Sequence, residues 1–393
     1  MNTKIITQCR VCGSRDLKFV FSLGDLHVNA FLEDPAKEVP KGRLTLLFCK
    51  NCSLVQLEHT ADIQALYAEH YWYQSGLNPV IIADLKDIAA RARDAAEMKP
   101  GDAFLDIGAN DGTLLGFVPK VYFRIGVEPA SNLQGRLREN CDFAYPSLWE
   151  EVKQLPAGCK AKVITAISMM YDLDDPNTFI AKVKDFLSPD GVFVAQLMTL
   201  QPMIRYNDVG NICHEHLEYY SYPSLRYLFE KNGLEIFRVE ENSINGGSYR
   251  LFSRHFKNGS VPYSENITED DLEHFARRVD ENKKRTVEFI RGEVGKGKKV
   301  YGYGASTKGN TILQWSGIDS TLLSGIAEKH PEKIGKFTVG TAIPIVSEEE
   351  ARAKADYFYV LPWGFFDAFF EKEKEWRSKG GKFIVSTPEF RVV

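Results

Sequence analysis

FLDIGANDG at residues 104–112, followed by GVEP at 126–129, is the stretch on which the reading of this 393-residue chain turns. Ala103–Ile107 is continuously apolar apart from one acid and is closed by Gly108, which predicts a buried parallel strand. Gly108 and Gly112 let a ligand approach the backbone before Thr113-Leu114-Leu115 begin a helix. Phe123–Val127 predicts a second strand ending in Glu128, a carboxylate placed to accept hydrogen bonds from both hydroxyls of a ribose. The pair marks a nucleoside-binding crossover. A dinucleotide fingerprint needs G-x-G-x-x-G around a pyrophosphate; Asn110 and Asp111 occupy this loop instead, which suits a zwitterionic amino-acid tail.

The segment resembles motif I and the acidic second-strand end of class I S-adenosylmethionine-dependent methyltransferases. The bland alternative is that Asp106 and the glycines only cap a tight strand-to-helix turn. Outward from it, residues 81–98 have helical spacing, and residues 162–167 form another buried-strand pattern ending in Ser168 and Met169, at the rim where ligands bind in doubly wound sheets. An amphipathic helix at 176–187 and a strand at 191–196 complete the alternation of a parallel sheet covered on both faces.

Composition narrows the function classes. With 44% apolar residues the chain can build two or three cores, and 49 basic against 53 acidic residues argue against a nucleic-acid partner. No apolar stretch has the length of a membrane span, and the first residues lack the apolar core of a signal peptide, so the expected location is the cytoplasm and no membrane partner is expected.

Cys9, Cys12, Cys49 and Cys52 form two C-x-x-C pairs, each able to present two thiolates to one tetrahedral zinc ion. The residues between the pairs are more than a zinc ribbon needs, yet 44–48 read as a strand leading back to the second pair. A redox dithiol is the rival reading. With four cysteines no protein ligand is missing, which predicts a structural ion. Residues 67–78, with Tyr71 and Tyr73, are an aromatic cluster that either packs the zinc module on the next domain or lines a substrate site.

NICHEHLEYYS, residues 211–221, is the densest chemical cluster, with His214, Glu215, His216 and Cys213. H-E-H lacks the H-E-x-x-H spacing of a helical metal site. Imidazole titrates near neutrality and a neighbouring carboxylate can orient it, so general-base work suits the cluster, with histidines fixed in a rigid loop as the alternative. Asn245 opens NGGSYRLF; beyond it 269–291 is a polar helix, and YGYGASTKGN at 301–310 repeats the strand, glycine turn and helix. Ser306, Thr307 and Lys308 at that helix start suit a diphosphate, although packing explains the glycines almost as well. Further strands are predicted at 324–327, 357–361 and 382–385.

CRVCG with CKNC, FLDIGANDGTLL, GVEPA, NICHEHLEYYS, NGGSYRLF and YGYGASTKGN together resemble the sugar C-methyltransferases that carry an N-terminal zinc-binding module, over almost the whole chain. The resemblance implies an α/β protein in three parts: a zinc-binding module at 1–70, a class I methyltransferase Rossmann-like domain at 71–255, and a second Rossmann-like domain at 256–393 closing over the sugar nucleotide. It implies methylation at carbon, typically C-3, of a nucleotide-diphosphate 4-keto-6-deoxysugar, with His216 as general base, Glu215 beside it, and Asp106, Gly108 and Glu128 around S-adenosylmethionine. A monomer is expected. Two positions depart from the family pattern: Cys213 stands where many members have tyrosine, and Tyr171-Asp172 where others often carry histidine. The competing readings are O- or N-methylation of a small metabolite and a non-catalytic zinc scaffold.

Overall fold

The computed structural model describes residues 4–60 and 73–393. Its centre is a seven-stranded sheet in the order Leu234–Asn242, Ser248–His255, Leu187–Met198, Ala161–Ile167, Ala103–Ile107, Phe123–Val127, Phe143–Tyr145. The last five run parallel and the first two are antiparallel additions. All of Ala103–Ile107 is buried: Leu105 and Ile107 belong to the core on one face, Phe104 to the core on the other. Both faces are therefore covered, which is why the run is continuously apolar.

Helix Pro79–Ala95 covers the Phe104 face with Ile81, Leu85, Ile88, Ala89 and Ala92. It starts earlier than its apolar spacing suggests because Asn78 caps it, accepting from Val80 N at 3.0 Å, and Pro79 fills the first turn. The strand predicted at 191–196 extends over Leu187–Met198, and the helix before it is Pro176–Phe186.

The N-terminal sheet explains the long spacing between the cysteine pairs. Leu17–His27 and Lys41–Cys49 pair antiparallel with Leu17 opposite Cys49, so the chain runs out and returns. Val55–Leu57 adds a third strand, and Glu218–Tyr219 adds the fourth. The histidine cluster, assigned from sequence to the central domain, thus gives its strand to the zinc module.

Helix Glu269–Gly295, capped by Thr268 and Asp271 through a reciprocal box, leads to a six-stranded sheet ordered Ile345–Ser347, Ile326–Glu328, Val300–Tyr303, Tyr357–Val360, Lys382–Val385, Arg391–Val392. All but the last strand are parallel. The N-terminal module also reaches this domain: Phe31–Leu32 pairs with Phe337–Thr338, and His27 N donates to Gln314 Oε1 at 2.8 Å. One core holds Leu44 and Leu57 of the module, Phe275 and Ile290 of the long helix, and Val300 and Ile326 of the second sheet. Among the described residues no helix is long and apolar enough to cross a membrane.

Candidate active site

Strand order reverses between Ala103–Ile107 and Ala161–Ile167, and a cavity of about 690 Å³ opens there, as expected at a topological switch point. Asp106, Gly108, Asn110, Glu128, Ser168 and Met169 all line it. Gly108 has φ +69° and a Cβ on it would lie 3.2 Å from Met169 Cγ, so the turn is kept close and bare. Glu128 is held by two backbone donors, Asn110 N to Oε2 and Ala130 N to Oε1, both at 2.9 Å, leaving lone pairs on each oxygen. Burial raises its carboxyl above the ordinary range. Asp106 accepts from Thr165 Oγ1 at 2.5 Å, and burial, helped by the Glu128 charge, pushes it up to about 7. Two acids short of counter-charge in one cavity suit a ligand that brings positive charge and hydroxyl donors. S-adenosylmethionine is such a ligand, with a sulfonium, an ammonium and a ribose.

The loop residues divide. Asn110 lines the cavity, but its side chain braces the segment before the first helix, accepting from Ser75 N at 2.9 Å and donating to Tyr73 O at 3.1 Å. Asp111, expected at the cofactor, is not among the lining residues described; its carboxylate accepts from Gly76 N, Thr113 N and Thr113 Oγ1. It fixes the loop from behind.

Cys9 and Cys12 sit in a turn closed by Gly13 at φ +77°, and Cys49 and Cys52 in one closed by Ser53 at φ +62°. Matching bonds run from Gly13 N to Cys9 O and from Ser53 N to Cys49 O. The four sulfurs lie within 4.8 Å of one another, with Cys9 to Cys52 at 3.6 Å and Cys12 to Cys49 at 3.4 Å. A tetrahedral zinc thiolate site has sulfur separations of about 3.8 Å, so these residues fit the ion.

In the histidine cluster the two imidazoles face different tasks. His216 Nδ1 lies 2.8 Å from Asn211 O, so that nitrogen carries the proton and Nε2 keeps its lone pair. Burial pushes its pKa down to about 4, with the Lys308 charge as the second cause, so the ring is neutral at neutral pH. Tyr171 meets it edge-on with centroids 4.6 Å apart. His214 instead lies 3.1 Å from Gly42 O and ties the cluster to the N-terminal sheet. Cys213 is buried, burial raises its thiol, and it is not among the residues described as lining the cavity or the small chamber formed by Tyr171, Met198, Asn211, His216 and Glu218. Glu215 keeps Oε2 buried without a hydrogen-bond partner among the described residues.

With this geometry the chain's relatives can be placed. Residues 9–67 match the family model described as "Putative zinc binding domain", 77–239 the methyltransferase domain, and 243–388 the C-methyltransferase C-terminal domain. Over 99% of its length the chain is 30% identical to C-methyltransferase NovU of Streptomyces niveus, covering 97% of that protein. It belongs to this C-methyltransferase family. Among solved structures, magnesium protoporphyrin IX methyltransferase of Synechocystis PCC 6803 is 13% identical, with 46% of this chain and 89% of that one covered and a TM-score of 0.38. An S-adenosylmethionine-dependent methyltransferase of Clostridium acetobutylicum ATCC 824 is 9% identical, with 44% and 92% covered and a TM-score of 0.36.

The C-methyltransferase thus uses S-adenosylmethionine and carries a structural zinc, held by Cys9, Cys12, Cys49 and Cys52. Tyr73 lines the cofactor cavity, as does Asn245, whose Nδ2 donates to Ser168 Oγ at 3.4 Å; Tyr71 lies outside the described residues. Ser168 and Asn245 both have φ near +55°, a left-handed conformation that costs about 1–3 kcal/mol outside glycine and gathers at functional sites. Ser306 caps helix Thr307–Ser316, accepting from Gly309 N at 3.0 Å, and Thr307 is exposed beside it. Packing explains the glycines here, since a Cβ on Gly304 would lie 2.8 Å from Pro362. Lys308, grouped with Ser306 and Thr307 by sequence, turns inward to the central domain.

Sequence reading missed the cavity's support. Arg250 donates to Asp84 at 2.8 Å, Asp87 at 2.6 Å and Gln196 at 2.9 Å, and both Asp84 and Gln196 line the cavity. A helix residue, a mid-strand glutamine and the arginine of NGGSYR carry no joint signal in the chain. Arg250→Ala leaves Asp84 buried without its cation, and a loss of about 3–5 kcal/mol in denaturant unfolding is expected.

Proposed function

We propose that this C-methyltransferase methylates the carbon alpha to the ketone, C-3, of a nucleotide-diphosphate 4-keto-6-deoxysugar. The observation that carries the reading is His216: a neutral imidazole whose Nδ1–H is committed to Asn211 O, in a chamber shared with Met198, whose Sδ meets the same Lys308 ammonium as Asn245 O of the cofactor cavity. A base is needed because a carbon next to a ketone becomes nucleophilic only after losing a proton. Bound S-adenosylmethionine supplies an electrophilic methyl group. His216 takes the proton at Nε2, Tyr171 and Asn211 hold the ring, and Glu215 places its negative charge beside His214. Asp106 and Glu128 hold the charged and ribose parts of the cofactor. Ser306 and Thr307 meet the sugar nucleotide's diphosphate at the helix start, and Tyr73 and Asn245 face the sugar. The enzyme works as a monomer in the cytoplasm on this soluble substrate.

Glu128→Gln removes the charge that would accept two ribose hydroxyls, and calorimetry is expected to show S-adenosylmethionine binding weakened about 10–100-fold. The reaction type is tested by solvent exchange. With the demethylated cofactor in place, the enzyme in deuterium oxide exchanges the hydrogen alpha to the ketone of thymidine- or guanosine-diphosphate 4-keto-6-deoxyhexoses. O- or N-methylation needs no such exchange, and its absence on both substrates removes the reading.

A further inference from the structure

Lys308 stands at the start of a C-terminal-domain helix, yet its ammonium lies in the central domain's reaction region. Nζ is 3.2 Å from Asn245 O and 3.4 Å from Met198 Sδ. Asn245 lines the cofactor cavity, whereas Met198 lines the small chamber that also contains His216 and Tyr171. One cation therefore touches a wall of each.

Its own bonding is incomplete. An ammonium has three N–H donors, and a backbone carbonyl at 3.2 Å with a thioether at 3.4 Å are modest acceptors for two of them. Asp208 Oδ2 forms an ion pair with it at 3.9 Å, beyond hydrogen-bond reach, and already accepts from Asn211 Nδ2 at 2.9 Å, so it takes none of the three donors. The Lys308 side chain is 27% exposed, so it is not sealed in the core. A diphosphate ligand at Ser306 and Thr307 would ask the side chain to point out over the helix start. It points the other way.

Removing a proton next to a ketone places negative charge on the ketone oxygen, and a fixed cation beside that oxygen gives a charge-assisted hydrogen bond, roughly twice as strong as a neutral one. The base, the cofactor and this cation must then converge on one carbon–carbonyl unit, and Lys308 is the side chain that meets both Asn245 of the cofactor cavity and Met198 of the chamber that His216 lines. We propose that Lys308 is a catalytic residue whose ammonium holds the enolate oxygen of the sugar, instead of a ligand of the diphosphate; this rests on the keto-sugar reading above. In the step, the C–H bond breaks and its proton passes to Nε2 of His216. The bonding pair forms the carbon–carbon double bond while the carbonyl pair moves onto oxygen, facing Lys308. No oxidant or reductant is involved, and the carbonyl re-forms when the carbon makes its new bond.

The test is exchange by Lys308→Met at saturating thymidine- and guanosine-diphosphate 4-keto-6-deoxyhexose, with the demethylated cofactor bound, alongside the dissociation constants of thymidine and guanosine diphosphates. Expected are a fall in exchange of about 10²–10³-fold, as for loss of an oxyanion donor, with diphosphate affinity within threefold of wild type. Wild-type exchange at saturation, with diphosphate affinity weakened tenfold or more, would overturn the proposal in favour of phosphate binding. Absence of exchange in the unmodified enzyme on both sugars sinks the keto-sugar reading itself, which separates the two failures. Lys308→Gln, which keeps donors without charge, is read by the same two arms should the methionine variant lose its cooperative thermal transition.

Discussion

His216→Asn lowers turnover by about 10²–10⁴-fold, the usual contribution of a positioned general base, while S-adenosylmethionine affinity stays within a few-fold of wild type. The split follows from placement: His216 borders the small chamber with Tyr171 and Met198, not the cofactor cavity as described. Asparagine fills similar space and can still donate to Asn211 O, so the change removes a proton acceptor with little loss of packing. Stopped-flow turnover with calorimetry for the cofactor checks both halves. Equal loss of affinity and rate would instead make His216 a packing residue. The pH dependence carries the same claim. Burial, then the Lys308 charge, hold His216 down to about 4, so the reactive neutral form persists from neutral pH down to that value. Activity governed by His216 therefore stays level through the region near 6.5 where an ordinary histidine protonates, and falls only as pH drops through about 4. An acid limb of kcat/KM near 6.5 contradicts the placement. A base this weak in the free enzyme gains proton affinity as enolate charge grows beside it.

Loss of the zinc is the second large effect. Isolated zinc-finger peptides owe about 10–16 kcal/mol of apparent binding energy to the ion, and here the loss is several kcal/mol because other contacts hold the module. Leu17–His27 is still paired along Lys41–Cys49, and Lys18 reaches Glu269 at 2.7 Å. The damage spreads through Arg10, which sits between two ligands. Its guanidinium donates to Leu57 O and to Thr60 Oγ1, both at 2.7 Å, and lies 3.3 Å from Asp174 and 3.8 Å from Glu218. Asp174 lines the cofactor cavity and Glu218 the chamber of His216. Releasing Arg10 leaves Glu218, buried and with its carboxyl already raised well above the ordinary range, without its cation. Chelation or Cys49→Ser is thus expected to lower the thermal transition and to cost both cofactor affinity and turnover. Metal-free protein, verified by elemental analysis, that melts and turns over as before would rule out this coupling.

What could be read from the chain was what is local. FLDIGANDG and Glu128 betray a strand, a bare turn and an acid because each acts within a few residues of its neighbours. The cysteine pairs likewise declare themselves by spacing, and the hairpin that unites them shows in 44–48. What stayed hidden depends on pairing between distant segments. Nothing in HLEYY says that Glu218–Tyr219 will lie against Val55–Leu57, or that His214 will meet Gly42 O in the N-terminal sheet. Lys308 was grouped with Ser306 and Thr307 because a helix start is a local signal for anions. Its inward course depends on how the third domain docks, placing Nζ on Asn245 and Met198. Asp111 also depends on a distant segment: its carboxylate accepts from Gly76 N as well as from Thr113 N.

The central claim is that the new methyl group becomes bonded to a carbon beside a ketone. Incubation with S-adenosylmethionine carrying a ¹³C-labelled methyl group, and with thymidine- and guanosine-diphosphate 4-keto-6-deoxyhexoses, tests it by nuclear magnetic resonance. The account predicts a labelled methyl with a one-bond carbon–carbon coupling to C-3 in sugar labelled at that carbon. A labelled methyl attached to oxygen or nitrogen, or no transfer to either sugar nucleotide, contradicts it.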